Sequence, residues 1–247
     1  MYHFFVEPSQ VGEHEIQIIG SDVNHIKNVL RMLPGEKISV STGEDGFDFL
    51  CEIETLDGKE IRARILEKRG SETELPCRIT LFQGLPKSDK MELIIQKAVE
   101  LGVYRIVPVT TRRTIVKLDA KKEAAKQKRW QQIAESAAKQ SGRAVIPEVS
   151  SVHSWKEALK EAAGLDVRVI PYELATGMEA TREIFSQIRS GQSVAIFIGP
   201  EGGFEEEEIA QAREEAGFSP ITLGRRILRT ETAGLATLAM LVYTVDT

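Results

Sequence analysis

The chain has 247 residues, 42% of them hydrophobic and 28% charged, which is the composition of an ordinary globular protein with room for one large domain or two small ones. Its start, MYHFFVEPSQ, lacks the basic and apolar segments of an export signal, and its longest apolar stretch, ETAGLATLAMLVYTV at 231–245, is shorter than a membrane span requires, so a cytoplasmic protein is expected. The formal net charge of −5 hides an asymmetry: residues 1–70 hold 8 Lys and Arg against 13 Asp and Glu, whereas residues 112–143 hold ten basic residues against three acidic ones, the footprint of a polyanion partner or of a solvated helix face.

Residues 1–70 alternate in short runs, EIQII (15–19), KISVST (37–42), FDFLCEIETL (47–56) and EIRARILEK (60–68). Turn formers separate them, Pro34-Gly35, Gly43 to Gly46 and Asp57-Gly58, and the pattern predicts a small β-barrel or sandwich. One helix interrupts it, opened by Ser21 or Asp22 and stopped before Pro34, with Val23, Ile26, Val29 and Leu30 at helical spacing. Cys51 and Cys77 form no CxxC pattern and read as reduced core thiols, and the four histidines have no metal-ligand spacing, so no metal site is expected.

SETELPC (71–77) reads as a linker. From residue 78 to 247, strands and helices alternate: strands at 78–85, 104–111, 145–150, 166–173, 193–199 and 220–224, helices at 88–102, 119–141, 154–164, near 179–190, at 205–217 and 231–245. Unbroken apolar strands between helices predict an α/β domain with a mostly parallel sheet covered on both faces.

Ligands of such sheets bind beyond the carboxyl ends of the strands, where three loops stand out: ELATG (173–177), GPEGGF (199–204) and LGRRILRTETA (223–233). GPEGGF matches neither GxxxxGK[ST] nor GxGxxG, and Glu205 to Glu208 fill the helix start where a phosphate would sit. The glycines therefore suit a flat, non-phosphate ligand, such as an adenosine carrying a sulfonium, or else a plain tight turn. In the third loop Thr230 is the expected N-cap of the terminal helix. Arg225, Arg226 and Arg229 there suit contact with an RNA phosphate or a reacting base.

Together, IGPEGGF (198–204) and LGRRILRTETA resemble the signature of the RsmE-type ribosomal RNA methyltransferases of the SPOUT superfamily. NHIKNVLRMLPGEKI (24–38), LPKSDKMELIIQKAVELGV (85–103) and RWQQIAESAAKQSGR (129–143) resemble the same family in the same order, so the likeness covers nearly the whole chain. One departure is His3, where an arginine is expected. The resemblance implies a SPOUT-type parallel sheet with a C-terminal trefoil knot, a small PUA-like N-terminal domain over 1–70, and a homodimer. It also implies methyl transfer from S-adenosylmethionine to N3 of a uridine in 16S ribosomal RNA, within the assembled small subunit.

By that resemblance the cofactor sits among the three loops, held at Glu173, Gly199, Pro200, Glu201, Gly202, Leu223, Gly224, Ile227 and Leu228. Arg229 is the expected stabiliser of the uridine anion or its flanking phosphate, with Arg225 and Arg226 as alternates. Glu201 and Glu231 are candidate proton acceptors or cofactor ligands, and equally turn and cap residues. RNA contacts are expected at His25, Arg31, Lys87, Lys97, Arg112, Arg113, Arg129 and Arg143. A ribose 2′-O-methyltransferase of the same superfamily and a non-catalytic ribosome assembly factor are the competing readings.

Overall fold

The computed structural model describes residues 1–246, so the expected second domain, 78–247, runs one residue past the described chain. The chain divides into two compact units. The first is Met1–Glu74 with Ala138–Ile146, and the second is Leu75–Ala137 with the chain from Pro147 onward.

The first unit is built on one five-stranded sheet, β1 (His3–Phe5), β2 (Glu15–Ile19), β3 (Lys37–Ser41), β4 (Phe47–Leu56) and β5 (Glu60–Gly70), in the order β1-β3-β4-β5-β2. Alternation does the work: in EIQII, Ile16 and Ile18 point inward while their neighbours face water, and opposite them on the antiparallel β5 stand Ala63 and Ile61. Asp57-Gly58 turns β4 into β5, closed by the Asp57 amide on the Glu60 carbonyl at 3.0 Å. Phe4, Val40, Phe49 and Cys51 complete a dry core in which burial pushes the Cys51 thiol up to about 12, so it packs as a small apolar group. The segment expected as a single helix starts as α1 (Ser21–Asn24) and widens into a π-helical turn over His25–Val29 before Arg31 takes a left-handed φ of 54°. Beyond the expected strands lies β1, too short to show alternation.

The second unit is a parallel α/β sheet. Its elements are β6 (Arg78–Gly84), α2 (Lys90–Glu100), β7 (Arg105–Thr110), α3 (Ala120–Ser141, of which residues 120–137 fall in this unit), β8 (Glu148–Val149), β9 (His153–Ser154) and α4 (Trp155–Ala162). They continue through β10 (Val167–Pro171), α5 (Met178–Ser186), β11 (Ser193–Ile198), α6 (Glu206–Ala216), β12 (Ser219–Ile221) and α7 (Thr230–Val245). The strand order is β12-β10-β11-β6-β7-β8, with β9 also on β7, and every pairing is parallel. The central strands β6 and β11 are buried along nearly their whole length, as their apolar runs require. Phe82 stacks on Phe197 at 4.8 Å, and Phe218 and Trp155 meet Phe197 edge-on at 5.1 and 5.0 Å, filling the space under α4 and α6. Helix α7 packs on α2, α5 and β11. Among the described residues, no helix is long and apolar enough to cross a membrane and no cluster of His, Cys, Asp or Glu is placed to hold a metal ion.

Candidate active site

Strand order explains why the three loops meet. Because β10 lies between β12 and β11, the segments that follow these strands emerge side by side at one end of the sheet. They enclose a cavity of about 470 Å³, within the range of small-molecule sites. Its lining includes Glu173 from the first loop, Gly199, Pro200, Glu201 and Gly202 from the second, and Leu223, Gly224, Arg225, Arg226, Ile227, Leu228 and Arg229 from the third. All nine residues expected to hold a cofactor thus fall on one cavity.

The glycines of the second loop are there for close approach. A Cβ on Gly199 would lie 3.0 Å from the Gly203 carbonyl carbon, and Gly203 itself needs a left-handed φ of 68° to turn its amide onto the Pro200 carbonyl at 2.9 Å.

The run of glutamates after this loop stabilises its own helix and pins the loop. Glu205 takes the N-cap position, and the fully buried Glu208 returns to the Glu205 amide at 2.9 Å while also accepting the Arg112 amide at 2.9 Å. Arg113 forms a two-pronged pair with Glu205 at 2.8 and 3.1 Å and donates to the Gly202 carbonyl at 2.6 Å. Arg112 pairs with Glu207. The Arg113 guanidinium holds the Glu205 carboxyl below its usual range. Arg112 and Arg113, expected on RNA phosphates, are therefore engaged with the acidic helix start, and Arg113 acts on the loop directly.

Two further ties join the second loop to α7. The buried Gln83 donates to Thr230 Oγ1 at 2.9 Å, and the Thr230 hydroxyl donates to the Gly199 carbonyl at 2.6 Å. Thr230 is thus not the N-cap that its position suggested. Arg229 occupies that place, its carbonyl accepting the Ala233 amide at 2.8 Å, because the threonine hydroxyl is turned to the neighbouring loop. The second tie is ionic: Lys90 Nζ lies 3.2 Å from Glu201 and 3.3 Å from Glu231. Partial burial works against ionisation of Glu201. Its own amide, the Lys87 amide at 3.1 Å and the Lys90 ammonium outweigh that, and they hold the carboxyl below the usual range. Both expected proton acceptors thus face one lysine, and for Glu201 that weakens the case for a base and strengthens the alternative of a turn residue.

The arginines of the third loop differ from all of these. Arg225, Arg226 and Arg229 are exposed, and none has a carboxylate within 4 Å among the described residues. Lys87 is exposed beside the Glu201 contact, whereas Lys97 pairs with Glu100 at 2.8 Å and Arg129 with Glu92 at 2.6 Å. In the first unit His25 and Arg31 are exposed. Arg143, expected on an RNA phosphate, is only 2% exposed, and it bonds to Glu74 at 2.5 Å, with the same carboxylate capping the Ala144 and Val145 amides at 3.1 and 3.2 Å. It holds the fold of that unit and offers no surface to RNA. Arg143→Ala should destabilise the protein by about 3–5 kcal/mol, the cost of leaving one partner of a buried pair behind, and a thermal melt checks it. An unchanged melting temperature would return Arg143 to the list of RNA contacts.

Reading three loops left out the fourth. The segment after β6, next to β11 in the sheet, brings Lys90 to the cavity, and the same rule about strand ends would have found it.

Comparison with known proteins agrees with this architecture. The family model described as an RNA methyltransferase domain matches residues 73–242, and that of an RNA methyltransferase PUA domain matches residues 18–66. The Ribosomal RNA small subunit methyltransferase E of Bacillus subtilis (strain 168) is 37% identical over 252 residues, spanning 100% of this chain and 98% of that protein. Its counterpart from Mesomycoplasma hyopneumoniae (strain 232) is 36% identical over 235 residues, 95% of this chain and 96% of its own. A crystal structure of the Neisseria gonorrhoeae Ribosomal RNA small subunit methyltransferase E, bound to S-adenosyl methionine, superposes with a TM-score of 0.82 at 34% identity, covering 98% of this chain and 97% of that one. The chain belongs to the RNA methyltransferase family that these ribosomal RNA small subunit methyltransferase E proteins represent.

Proposed function

We propose that this protein methylates N3 of one uridine in 16S ribosomal RNA, using S-adenosylmethionine. The observation that carries the reading is one cavity lined by glycines, by the apolar Leu223, Ile227 and Leu228, and by three arginines that have no carboxylate within 4 Å among the described residues. The lining fits that cofactor: it is short of phosphate-binding features, since the helix start beyond Gly203 is already filled by Glu205 and Glu208, and it carries the Glu173 carboxylate, which suits a cationic sulfonium. Backbone groups at Gly199, Pro200, Gly202 and Gly224 would hold adenine and ribose, against Leu223, Ile227 and Leu228. Ile227 is 88% exposed, an apolar side chain that a ligand at the cavity would cover. When bound, S-adenosylmethionine supplies the activated methyl group.

Uracil N3 carries a proton and becomes a nucleophile only as that proton leaves, and it lies on the pairing edge, so the base must be presented unpaired. Arg229, always protonated, would stabilise the uracil anion, and Arg225, Arg226 and Lys87 would contact the flanking phosphates. Glu201 and Glu231, both committed to Lys90, hold the loops, and the proton passes to solvent. The finer features implied by the resemblance belong to the same proposal: a cytoplasmic homodimer, a trefoil knot in the second unit, a barrel in the first, and the assembled small subunit as substrate. For the dimer the support is the largely apolar α7, with Tyr243 88% exposed, and Leu93 of α2, 45% exposed, apolar surface a second copy would cover.

The test is to incubate the protein with labelled S-adenosylmethionine and small subunits from a strain lacking it, then digest the RNA and identify the labelled nucleoside. Label in N3-methyluridine is expected. Label in a 2′-O-methyl nucleoside would overturn the chemistry and leave the fold standing, and no label despite cofactor binding would favour an assembly role.

A further inference from the structure

We propose that Lys90 is a positioning residue for cofactor binding, acting as a charged clasp between the second loop and α7. This rests on the cavity being the cofactor site. Lys90 is the first residue of α2, reached through a turn in which Ser88 adopts a left-handed φ of 58° without being glycine. That turn aims two groups at one carboxylate: the Lys87 amide, 3.1 and 3.3 Å from the two Glu201 oxygens, and the Lys90 ammonium, 3.2 Å from Glu201 Oε1. The same ammonium lies 3.3 Å from Glu231 in the first turn of α7. Glu201 belongs to the loop that forms one wall of the cavity, and Arg229 and Thr230, just before Glu231, form another.

The three charges are about one-quarter exposed or less, with side-chain exposures of 28% for Lys90, 28% for Glu201 and 18% for Glu231. At such sites two carboxylates facing each other repel, and only a cation between them keeps both in place. Removing the lysine leaves that repulsion between Glu201 and α7, acting on the stretch of the second loop between its anchors at Gly199 and Gly202. The neutral tie through Gln83 and Thr230 holds Gly199, upstream of Glu201, and does not reach the tip of the loop. The clasp therefore sets the separation of the two walls between which the cofactor must fit.

The experiment is a calorimetric titration of the purified full chain with S-adenosylmethionine, with thermal melts alongside. Lys90→Met should weaken binding at least tenfold, Lys90→Arg should bind within about threefold of the parent, and Glu201→Gln should lose a similar factor to Lys90→Met. The double variant Lys90→Met, Glu201→Gln should bind no more weakly than the worse single variant, because both changes undo one contact. In turnover the loss should fall on KM for the cofactor, with kcat at saturation within a few-fold. Should Lys90→Met fail to fold, Lys90→Gln takes its place in the same cycle. Binding within twofold of the parent in the lysine variant would overturn the clasp, and so would a lysine effect of equal size with or without Glu201, which would mean Lys90 touches the ligand directly. A parent chain that bound no cofactor would remove the reading of the cavity and this inference with it.

Discussion

Arg229→Ala should lower kcat by about 10²–10³-fold at saturating RNA and cofactor, the usual cost of removing one preorganised group that stabilises charge developing in the transition state. The melting temperature should stay put, because the side chain is exposed and has no carboxylate partner among the described residues, while the part of Arg229 that holds α7 is its backbone carbonyl, which alanine retains. Cofactor affinity should also hold, since Arg229 is assigned to the base. Arg229→Lys should recover little, because a guanidinium offers a planar fork of donors and an ammonium only a point charge. Arg225→Ala and Arg226→Ala should act mainly on RNA affinity and its salt dependence, as phosphate contacts do. Single-turnover rates for the three variants separate these roles. Arg229→Ala turning over within threefold of the parent would transfer the assignment to one of its neighbours.

How much of this was legible in the sequence depended on whether the signal was local. Strand runs with a clear period were read to within a residue or two: Glu15–Ile19 and Phe47–Leu56 fall where alternation placed them, and Ser193–Ile198 where an unbroken apolar run did. VIPEVS was read as a strand over six residues, yet only Glu148–Val149 joins the parallel sheet, since Val145 bridges to Gly43 and the Ile146 amide bonds the Gly43 carbonyl at 2.9 Å in the first unit. The helix after Ser21 kept its apolar spacing but widened at His25, a π-turn that 3.6-residue periodicity does not register. At the site, the glycines of the second loop were readable because close backbone approach leaves a compositional mark. The ion pairs were not. Arg112, Arg113, Arg129 and Arg143 look alike in sequence to Arg225, Arg226 and Arg229, and what separates them is whether the fold brings a carboxylate alongside from 37 to 95 positions away. A basic block in a chain with 37 acidic residues is thus a weak guide to an RNA surface, because much of it is neutralised internally. The three arginines of the third loop escape that fate.

Gly84→Ala should damage the cavity from behind, through a residue that does not line it. Gly84 ends β6, and a Cβ there would lie 2.6 Å from both Pro200 Cδ and the Pro200 nitrogen and 3.0 Å from the Gly199 carbonyl carbon. These are ring and backbone atoms, with no flexible side chain to swing aside, so the second loop itself must move. The loop has little freedom to do so: Thr230 bonds the Gly199 carbonyl, the Gly203 amide closes on Pro200, and Arg113 holds Gly202. Overpacking of this kind costs about 1–3 kcal/mol, which for a chain of this size lowers the melting temperature by several degrees. Cofactor affinity should fall with it, by about two- to twelvefold if the loop shift absorbs half of that cost, since 1.4 kcal/mol is a factor of ten in binding. Gly164→Ala is the control, because a Cβ there meets only the Glu161 carbonyl at an ordinary 3.5 Å, and stability should change little. A Gly84→Ala protein with a lowered melting point but unchanged cofactor affinity would show that the loop yields without carrying the cavity wall with it, and the assignment of Gly199 and Pro200 to the cofactor would fall.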